Sequence, residues 1–273
     1  MFVCALLDDD RQKPYRLRMT KMLKPPEILS TADHRPYPLP NGPWAISMSW
    51  HDLLFMHWPV PVEALRPYAP SDLTIDTFDG TAWLAVVPFR MSGVRPHFLP
   101  AVPSLSNFPE LNLRTYVTHK GKPGIWFFSL DAHNKVAVRL ARATFDLPYF
   151  DADMEFEKQN DSIHYKSFRT HRGAAPNDYE ARYKAISQPE EHAPDSIENF
   201  LTERYCLYSA NKSGRLRRGD IHHHMWPLQR AEVEVRTLRM TTQIGLELPE
   251  TEPLLHYSRR LDVLAWPPRK VDG

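Results

Sequence analysis

Four residues between Glu110 and Tyr149 have the types and the spacing that an acid–base site needs. Glu110 opens an apolar, strand-like run and Arg114 follows four residues later, so an extended strand would place both side chains on one face. Arg142 lies near the end of a predicted helix, shortly before Tyr149. Arginine binds a carboxylate through two hydrogen bonds, glutamic acid transfers a proton, and tyrosine donates a hydrogen bond.

The same residues also suit a structural role, because charged side chains among apolar strands must be paired. Two interpretations therefore stay open: a buried ion-pair network that pins the helix to the sheet, or a functional pocket. In the pocket, Glu110 and Tyr149 are the predicted catalytic residues, and Arg114 and Arg142 the predicted substrate-binding residues. Arg95, which precedes a proline in a loop, is a third substrate-binding candidate at the mouth of a barrel.

Three consecutive histidines, His222, His223 and His224, are the strongest candidates for metal ligands. On a strand, His222 and His224 would point to one side and His223 to the other. A catalytic zinc site needs three protein ligands, and no spacing such as His-Glu-x-x-His accompanies the tract. We expect the histidines to line a polar cavity or the surface, and we predict no metal site.

The chain carries no sequence motif for a cofactor or for an activated nucleophile. The Gly-x-Ser-x-Gly elbow, the phosphate-binding loop and the dinucleotide fingerprint are all missing from the sequence. Cys206 has no motif around it, which favours a buried structural thiol. We therefore predict no cofactor.

Composition argues against several classes of function. The 273 residues carry a formal net charge of +1, which provides no basic field for nucleic acid. No apolar run reaches the roughly 18 residues of a membrane-spanning helix, and the first residues lack the pattern of a secretory signal. The two cysteines, Cys4 and Cys206, are far apart. We predict a cytoplasmic protein without a nucleic-acid or membrane partner.

Short strands separated by turns predict a mainly β fold of the α+β class. The 26 prolines outnumber the 10 glycines and disfavour long helices. A hairpin is predicted from the runs 111–118 and 124–130, followed by a helix over 132–144. That helix is predicted from the spacing of Val136, Leu140 and Ala143.

The remaining pattern predicts one domain over residues 44–273. Residues 1–43, rich in Pro, Lys, Arg and Asp and without periodicity, are predicted to be a poorly ordered leader. Further strands are predicted at 73–78, 81–91, 154–157, 162–169, 179–183, 206–210, 216–224 and 229–239. Short helices are predicted at 61–68 and 196–205.

Seven segments, in order, resemble the YqjF-like DUF2071 family of uncharacterised bacterial proteins. They are LLFMHWPVP, LTIDTFDGTAWLAVVPFRMSGVRP, FPELNLRTYV, GIWFFSLDA, LPYFDADM, FLTERYCLY and HHHMWPLQRA. The resemblance covers residues 44–266. That family is similar to the acetoacetate decarboxylase superfamily. The resemblance therefore implies an acetoacetate decarboxylase-like antiparallel β-barrel or cone with a few flanking helices.

The same resemblance implies roles for particular residues. Phe-Pro-Glu at 108–110 makes Glu110 the match to the superfamily's active-site glutamate, and Arg142 falls in its Gly-Arg-Glu segment. The superfamily's Phe-Pro-Lys turn, whose lysine forms a Schiff base with a β-keto acid, is matched by Leu-Pro-Tyr ending at Tyr149. Tyrosine cannot form an imine, so the usual decarboxylation route is not expected. The nearest lysines, Lys135 and Lys166, are not selected by the motif.

The sequence as a whole predicts a cytoplasmic barrel that binds a small organic acid or a related metabolite. Either it is a lyase-like enzyme without the Schiff-base lysine, or it is a non-catalytic small-molecule binding or sensing protein with the same pocket. Related barrels self-associate, and by that analogy a homo-oligomer is expected.

Overall fold

The structure is a computed structural model that describes residues 22–211 and 213–271. None of the helices in this part of the chain is long and apolar enough to span a membrane. The strands are β1 (Ile46–Val60), β2 (Thr74–Ile75), β3 (Ala82–Pro96), β4 (Phe108–His119), β5 (Lys122–Ala132), β6 (Tyr149–Gln159), β7 (Ser162–Arg169), β8 (Asp178–Ala185), β9 (Cys206–Ala210), β10 (Leu216–His222), β11 (Gln229–Leu238), β12 (Leu254–Ala265) and β13 (Arg269–Lys270). The helices are α1 (Pro25–Leu29), α2 (Val62–Leu65), α3 (Pro103–Ser106), α4 (Lys135–Phe145) and α5 (Ile197–Thr202), with 3-10 turns at Arg66–Tyr68 and Thr242–Ile244.

The thirteen described strands form one sheet, and this sheet closes on itself twice. Its order is β13-β10-β9-β5-β6-β7-β8-β11-β12-β1-β3-β4-β2, with additional pairings of β4 with β5 and of β10 with β12. The first pairing closes a nine-stranded barrel through β5, β6, β7, β8, β11, β12, β1, β3 and β4. The second closes a smaller ring, in which β9 and β10 link β5 to β12. The predicted mainly β barrel is therefore confirmed.

Five strands (β12, β1, β3, β4 and β5) belong to both rings and have a buried core on each face. Alternation along β1 places Leu54 and Met56 in the core of the nine-stranded barrel, and Leu53 and Phe55 in the core of the smaller ring. A strand buried on both faces needs a nearly continuous apolar sequence, which explains the run from Leu53 to Met56.

The β4–β5 hairpin is tighter than the predicted loop. Lys120 and Gly121 alone connect the strands, and both have positive φ angles, 49° and 73°. A bulge places one extra residue, Phe128, in β5 between the pairs Leu113–Ser129 and Arg114–Phe127. The register of β4 against β3 is unbroken, so alternate residues of β4 keep to one face.

Helix α4 forms where the sequence predicted a helix, but it buries a different face. Its first turn is capped by Asn134, whose side chain accepts hydrogen bonds from two backbone N–H groups at 3.1 Å. Val136 and Leu140, whose spacing predicted the helix, are 54% and 61% exposed, whereas Val138 is buried. The small side chain of Ala137, together with Val138, lets the helix pack closely on the smaller ring.

Part of the predicted leader packs on the barrel. Ile28 of α1 is fully buried against Trp44 and Trp266, and the Leu23 backbone N–H donates to Asp262 Oδ2 at 2.9 Å. Residues 22–43 thus contain a short helix and isolated apolar residues that pack on the barrel without any periodicity in the sequence. Residues 1–21 lie outside the described residues.

Candidate functional site

The smaller ring contains a cavity of about 690 Å³ that opens to solvent beside the exposed residues Leu140 and Ala143. Its wall is formed by residues of β1, β3, β4, β5, β6, β9, β10, β12, α4 and α5 and of the segments between them, and most of these residues are apolar. The polar residues of the wall that bear on chemistry are Glu110, Asn112, Arg114, Tyr149, Arg204 and His223.

One face of β4 supplies a stripe of polar groups to the cavity. Glu110, Asn112 and Arg114 alternate along this strand and line the cavity, while Leu111 and Leu113 between them enter the other core. The strand thus places an acid, an amide and a cation along the same cavity.

Glu110 is held as a neutral acid. Glu110 is 2% exposed, and burial raises the pKa of its carboxyl group to about 8. Tyr149 Oη donates a hydrogen bond to Glu110 Oε2 at 2.7 Å. This bond and one from Asn112 lower the pKa, whereas the nearby charge of Asp131 raises it. The burial effect is the largest, so Glu110 carries a proton at neutral pH.

Arg114 brings an unpaired positive charge to the wall. Its guanidinium lies 5.3 Å from the Phe55 ring and 5.8 Å from the Tyr116 ring, and no carboxylate of the described residues forms an ion pair with it. The second arginine nearby, Arg204, is already paired with Asp76 at 2.5 Å. Arg114 is therefore the wall arginine that is available to an anionic ligand.

Four buried polar atoms of wall residues have no hydrogen-bond partner among the described residues. They are Asn112 Oδ1, Arg114 Nε, Trp50 Nε1 and Trp226 Nε1. An orphaned buried polar atom costs about 1–3 kcal/mol. Such atoms are normally satisfied by a molecule bound beside them, either water or ligand.

The histidine tract bonds to backbone carbonyl groups. His222 Nε2 and His224 Nε2 lie 2.9 and 3.2 Å from the same atom, Ile28 O. His223 lies on the opposite side, stacks on Tyr205 and reaches the cavity, and burial lowers its pKa to about 4. Within residues 22–211 and 213–271, no group of three or more His, Cys, Asp or Glu residues is arranged to hold a metal ion.

Comparison with known proteins identifies the family. Residues 47–262 match the model of DUF2071, which is described as an uncharacterized conserved protein. The chain belongs to the DUF2071 family. It is 49% identical over 232 residues to the uncharacterized protein YqjF of Bacillus subtilis (strain 168), a match that covers 85% of this chain and 95% of YqjF.

Solved structures similar to this DUF2071 chain are acetoacetate decarboxylase-like. The acetoacetate decarboxylase of Legionella pneumophila subsp. pneumophila str. Philadelphia 1 has a TM-score of 0.58 at 10% identity, covering 90% of this chain and 95% of that one. An acetoacetate decarboxylase-like enzyme from Sphingomonas wittichii RW1 has a TM-score of 0.59 at 11% identity, covering 89% and 100%. The enduracididine biosynthesis enzyme MppR complexed with pyruvate has a TM-score of 0.57 at 10% identity, covering 85% and 91%. The predicted family and fold are confirmed, and at these identities the structures establish the fold alone.

The described wall of this DUF2071 cavity contains no lysine. Lys166 forms an ion pair with Glu155 at 3.0 Å, and Lys135 begins helix α4, so neither lysine lines the cavity. Cys206 lines the cavity as a buried free thiol whose pKa is raised by burial. Asp220 is paired with Arg218, so the groups that remain for acid–base chemistry in the described wall are Glu110, Tyr149 and His223.

Of the five predicted site residues, Glu110, Arg114 and Tyr149 are brought together in the cavity wall, whereas Arg142 and Arg95 are not. Arg142 points away from the cavity side of α4, is exposed, and donates to the Tyr149 backbone carbonyl at 2.8 Å. Arg95 lies 5.5 Å from the Trp44 ring. Val94, the preceding residue on β3, lines the cavity, so strand alternation places the Arg95 side chain on the face away from the cavity.

Among the wall residues that the predictions missed are Asn112, Arg204 and Trp226. Strand alternation could have found Asn112, which lies two residues after Glu110. Arg204 and Trp226 reach the cavity only because β9 and β10 close the smaller ring, and no local pattern signals that closure.

Proposed function

We propose that this DUF2071 protein binds a small organic acid in the cavity of the smaller ring, with Arg114 holding the carboxylate. The observation that carries the proposal is the Arg114 guanidinium, which has no carboxylate partner among the described residues, in a mostly apolar cavity wall. Arg114 is half-buried and has no carboxylate partner among the described residues, and a carboxylate ligand supplies both the opposite charge and hydrogen-bond acceptors, including one for the buried Nε. The solved structure of MppR, which has the same fold, is described as complexed with pyruvate, a small organic acid.

The chemistry that suits this cavity is proton transfer from Glu110 without a Schiff base. Tyr149 donates to Glu110 Oε2, so the proton of the neutral carboxyl group is carried by Oε1. A proton donor with a pKa near the working pH is an effective general acid. These features support a lyase-like reaction in which a carbon–carbon or carbon–oxygen bond of the bound acid breaks and Glu110 gives its proton to the fragment that keeps the electron pair. The resulting Glu110 carboxylate, positioned by Tyr149, then regains a proton from water.

Binding without turnover is the alternative function. It is favoured by the lack of lysine in the described cavity wall, because the Schiff base of the related decarboxylases needs an amine. Glu110→Gln separates the two functions. In an enzyme this variant binds the acid normally and loses turnover. In a sensing protein the wild type already binds without converting the ligand.

We also infer that the protein acts in the cytoplasm, an inference supported by its two cysteines and by the buried free thiol of Cys206. The predicted homo-oligomer stays a prediction, which light scattering after size-exclusion chromatography can test.

The decisive experiment compares Arg114→Ala with Arg142→Ala. Titration calorimetry with straight-chain and keto carboxylic acids of increasing length measures the affinity of each protein. Hydrogen bonds to charged groups contribute about 1.5–3 kcal/mol, so Arg114→Ala should weaken binding on the order of 10- to 100-fold. Arg142→Ala is the matched control and should bind as wild type. Equal affinities of wild type and Arg114→Ala would contradict the proposal.

A further inference from the structure

We infer that the acid has a long apolar body: the ligand is an amphipathic monocarboxylic acid, such as a medium-chain acid, and not a short keto acid. This inference rests on the proposed function and adds the chemical class of the ligand. It follows from the size of the cavity, the pairing of its charged residues and the composition of its wall.

The cavity is too large for a short acid. Its volume of about 690 Å³ lies within the roughly 300–1,000 Å³ range of sites that enclose drug-sized ligands. Phe108 and Arg114 both line the cavity and are six residues apart on β4, whose register against β3 is unbroken. At about 3.3 Å per residue this separation is on the order of 20 Å of strand. A short keto acid held at Arg114 would leave most of the length unfilled.

The cavity wall contains an aromatic surface formed by Trp226, Trp50 and Phe89. Phe55, which is buried and does not line the cavity, links this surface to Arg114: its ring lies 5.3 Å from the guanidinium and 4.9 Å from the Trp226 ring. Trp226 stacks on Trp50 at 5.8 Å, and Trp50 meets Phe89 edge to face at 5.9 Å. The free energy of binding to such a surface becomes more favourable with the apolar area that the ligand buries. A ligand with a long apolar body therefore binds more tightly than a short polar acid, which buries little apolar area.

The charges of the wall specify a single carboxylate. Glu110 is neutral at physiological pH, and Arg204 is paired with Asp76. The other charged wall residues are also paired within the described chain: Arg217 with Asp146 at 2.8 Å, and Asp220 with Arg218 at 3.0 Å. Arg114 is thus the one wall cation of the described residues without a carboxylate partner, which suits a ligand with one anionic group.

The order of residues along β3 gives the orientation of the ligand. Arg114 is opposite Ala85, Glu110 is opposite Phe89, and Val94 lies beyond both. The carboxylate is therefore held at Arg114, and the apolar body extends past Glu110 towards Val94.

The test measures the affinity of the full chain for decanoate, butanoate, acetoacetate and 1-decanol, by calorimetry and by the fluorescence of the wall tryptophans. We expect decanoate to bind at least 30-fold more tightly than butanoate or acetoacetate, and at least 10-fold more tightly than 1-decanol. Arg114→Ala should weaken decanoate binding at least 10-fold.

A variant of helix α4 tests the position of the apolar body. Ala141 lines the cavity, so Ala141→Phe should weaken decanoate binding at least 10-fold while leaving butanoate binding unchanged. Val136 lies on the exposed side of the same helix, and Val136→Phe is the matched control that keeps wild-type affinity. Circular dichroism of both variants checks that the fold is retained.

The outcomes separate this inference from the proposed function. If butanoate and acetoacetate bind as tightly as decanoate and all three depend on Arg114, the inference is overturned and the proposed function stands. If no acid binds, or if 1-decanol binds as tightly as decanoate and Arg114→Ala changes nothing, the proposed function is overturned as well.

Discussion

At the scale of single residues, Glu110 is protonated mainly because it is buried, and neighbouring charges contribute less to its raised pKa. Burial is the largest cause of its raised pKa, and the hydrogen bonds from Tyr149 and Asn112 act against it. A carboxyl group in this state donates a proton near neutral pH, which an exposed glutamic acid cannot do.

Tyr149→Phe should raise the pKa of Glu110 further above about 8, because the variant removes a donor that stabilises the ionised carboxylate. Carbon-13 NMR titration of the glutamate carboxyl groups measures the shift. Tyr165→Phe is the control, since the Tyr165 hydroxyl donates to the Phe89 carbonyl, 3.2 Å away. An unchanged or lower pKa in Tyr149→Phe would show that the hydrogen bond has no such role.

At the scale of elements, the smaller ring exists because β9 can approach β5 closely. The two strands pair in parallel at Ile125–Leu207 and Trp126–Tyr208, next to Gly124. A Cβ atom on Gly124 would lie 2.7 Å from Cys206 Sγ and 2.9 Å from the Cys206 carbonyl oxygen. The glycine is thus required for close approach of two backbones and not for an unusual φ angle.

Gly124→Ala should lower the free energy of unfolding by about 1–3 kcal/mol, because a backbone carbonyl cannot move aside as a side chain can. Urea denaturation measures the loss. Gly219→Ala is the matched control: its Cβ would meet the end of the flexible Leu207 side chain at 3.3 Å, and a smaller loss is expected. Equal losses in the two variants would argue against the proposed role of backbone crowding.

At the scale of the whole molecule, the shared central strands bury a protonated acid, and stability should depend on pH accordingly. The pKa of Glu110 is about 8 in the folded chain, against an ordinary value of 4.5. Between these pH values the folded state holds one more proton at this position than the unfolded state does. Stability from this group is therefore lost as pH rises from about 4.5 to about 8.

Glu110→Gln should remove this loss, which amounts to at most about 1.4 kcal/mol per pH unit. Urea denaturation of wild type and variant from pH 5 to pH 8 gives the difference in the free energy of unfolding. The comparison uses the difference between wild type and variant at each pH. Buried neutral histidines such as His223, with a pKa of about 4, lower the stability of both proteins as the pH becomes acidic, and this effect cancels in the difference. A difference that does not change with pH would contradict the raised pKa of Glu110.

The sequence by itself determined the local arrangement of the site. Alternation along β4 correctly placed Glu110 and Arg114 on one face, and the Leu-Pro-Tyr turn brought Tyr149 into the prediction. Strands, hairpins and the position of α4 were also predictable, because turns and side-chain periodicity act over a few residues.

Only the tertiary structure decided which face of each element meets the cavity. Arg142 and Arg95 point away from the cavity, and Arg204 enters it, because the rotation of α4 and the closure by β9 and β10 depend on contacts between residues far apart in sequence. The neutral state of Glu110 also depends on this closure, since burial arises only when distant strands exclude water from the carboxyl group.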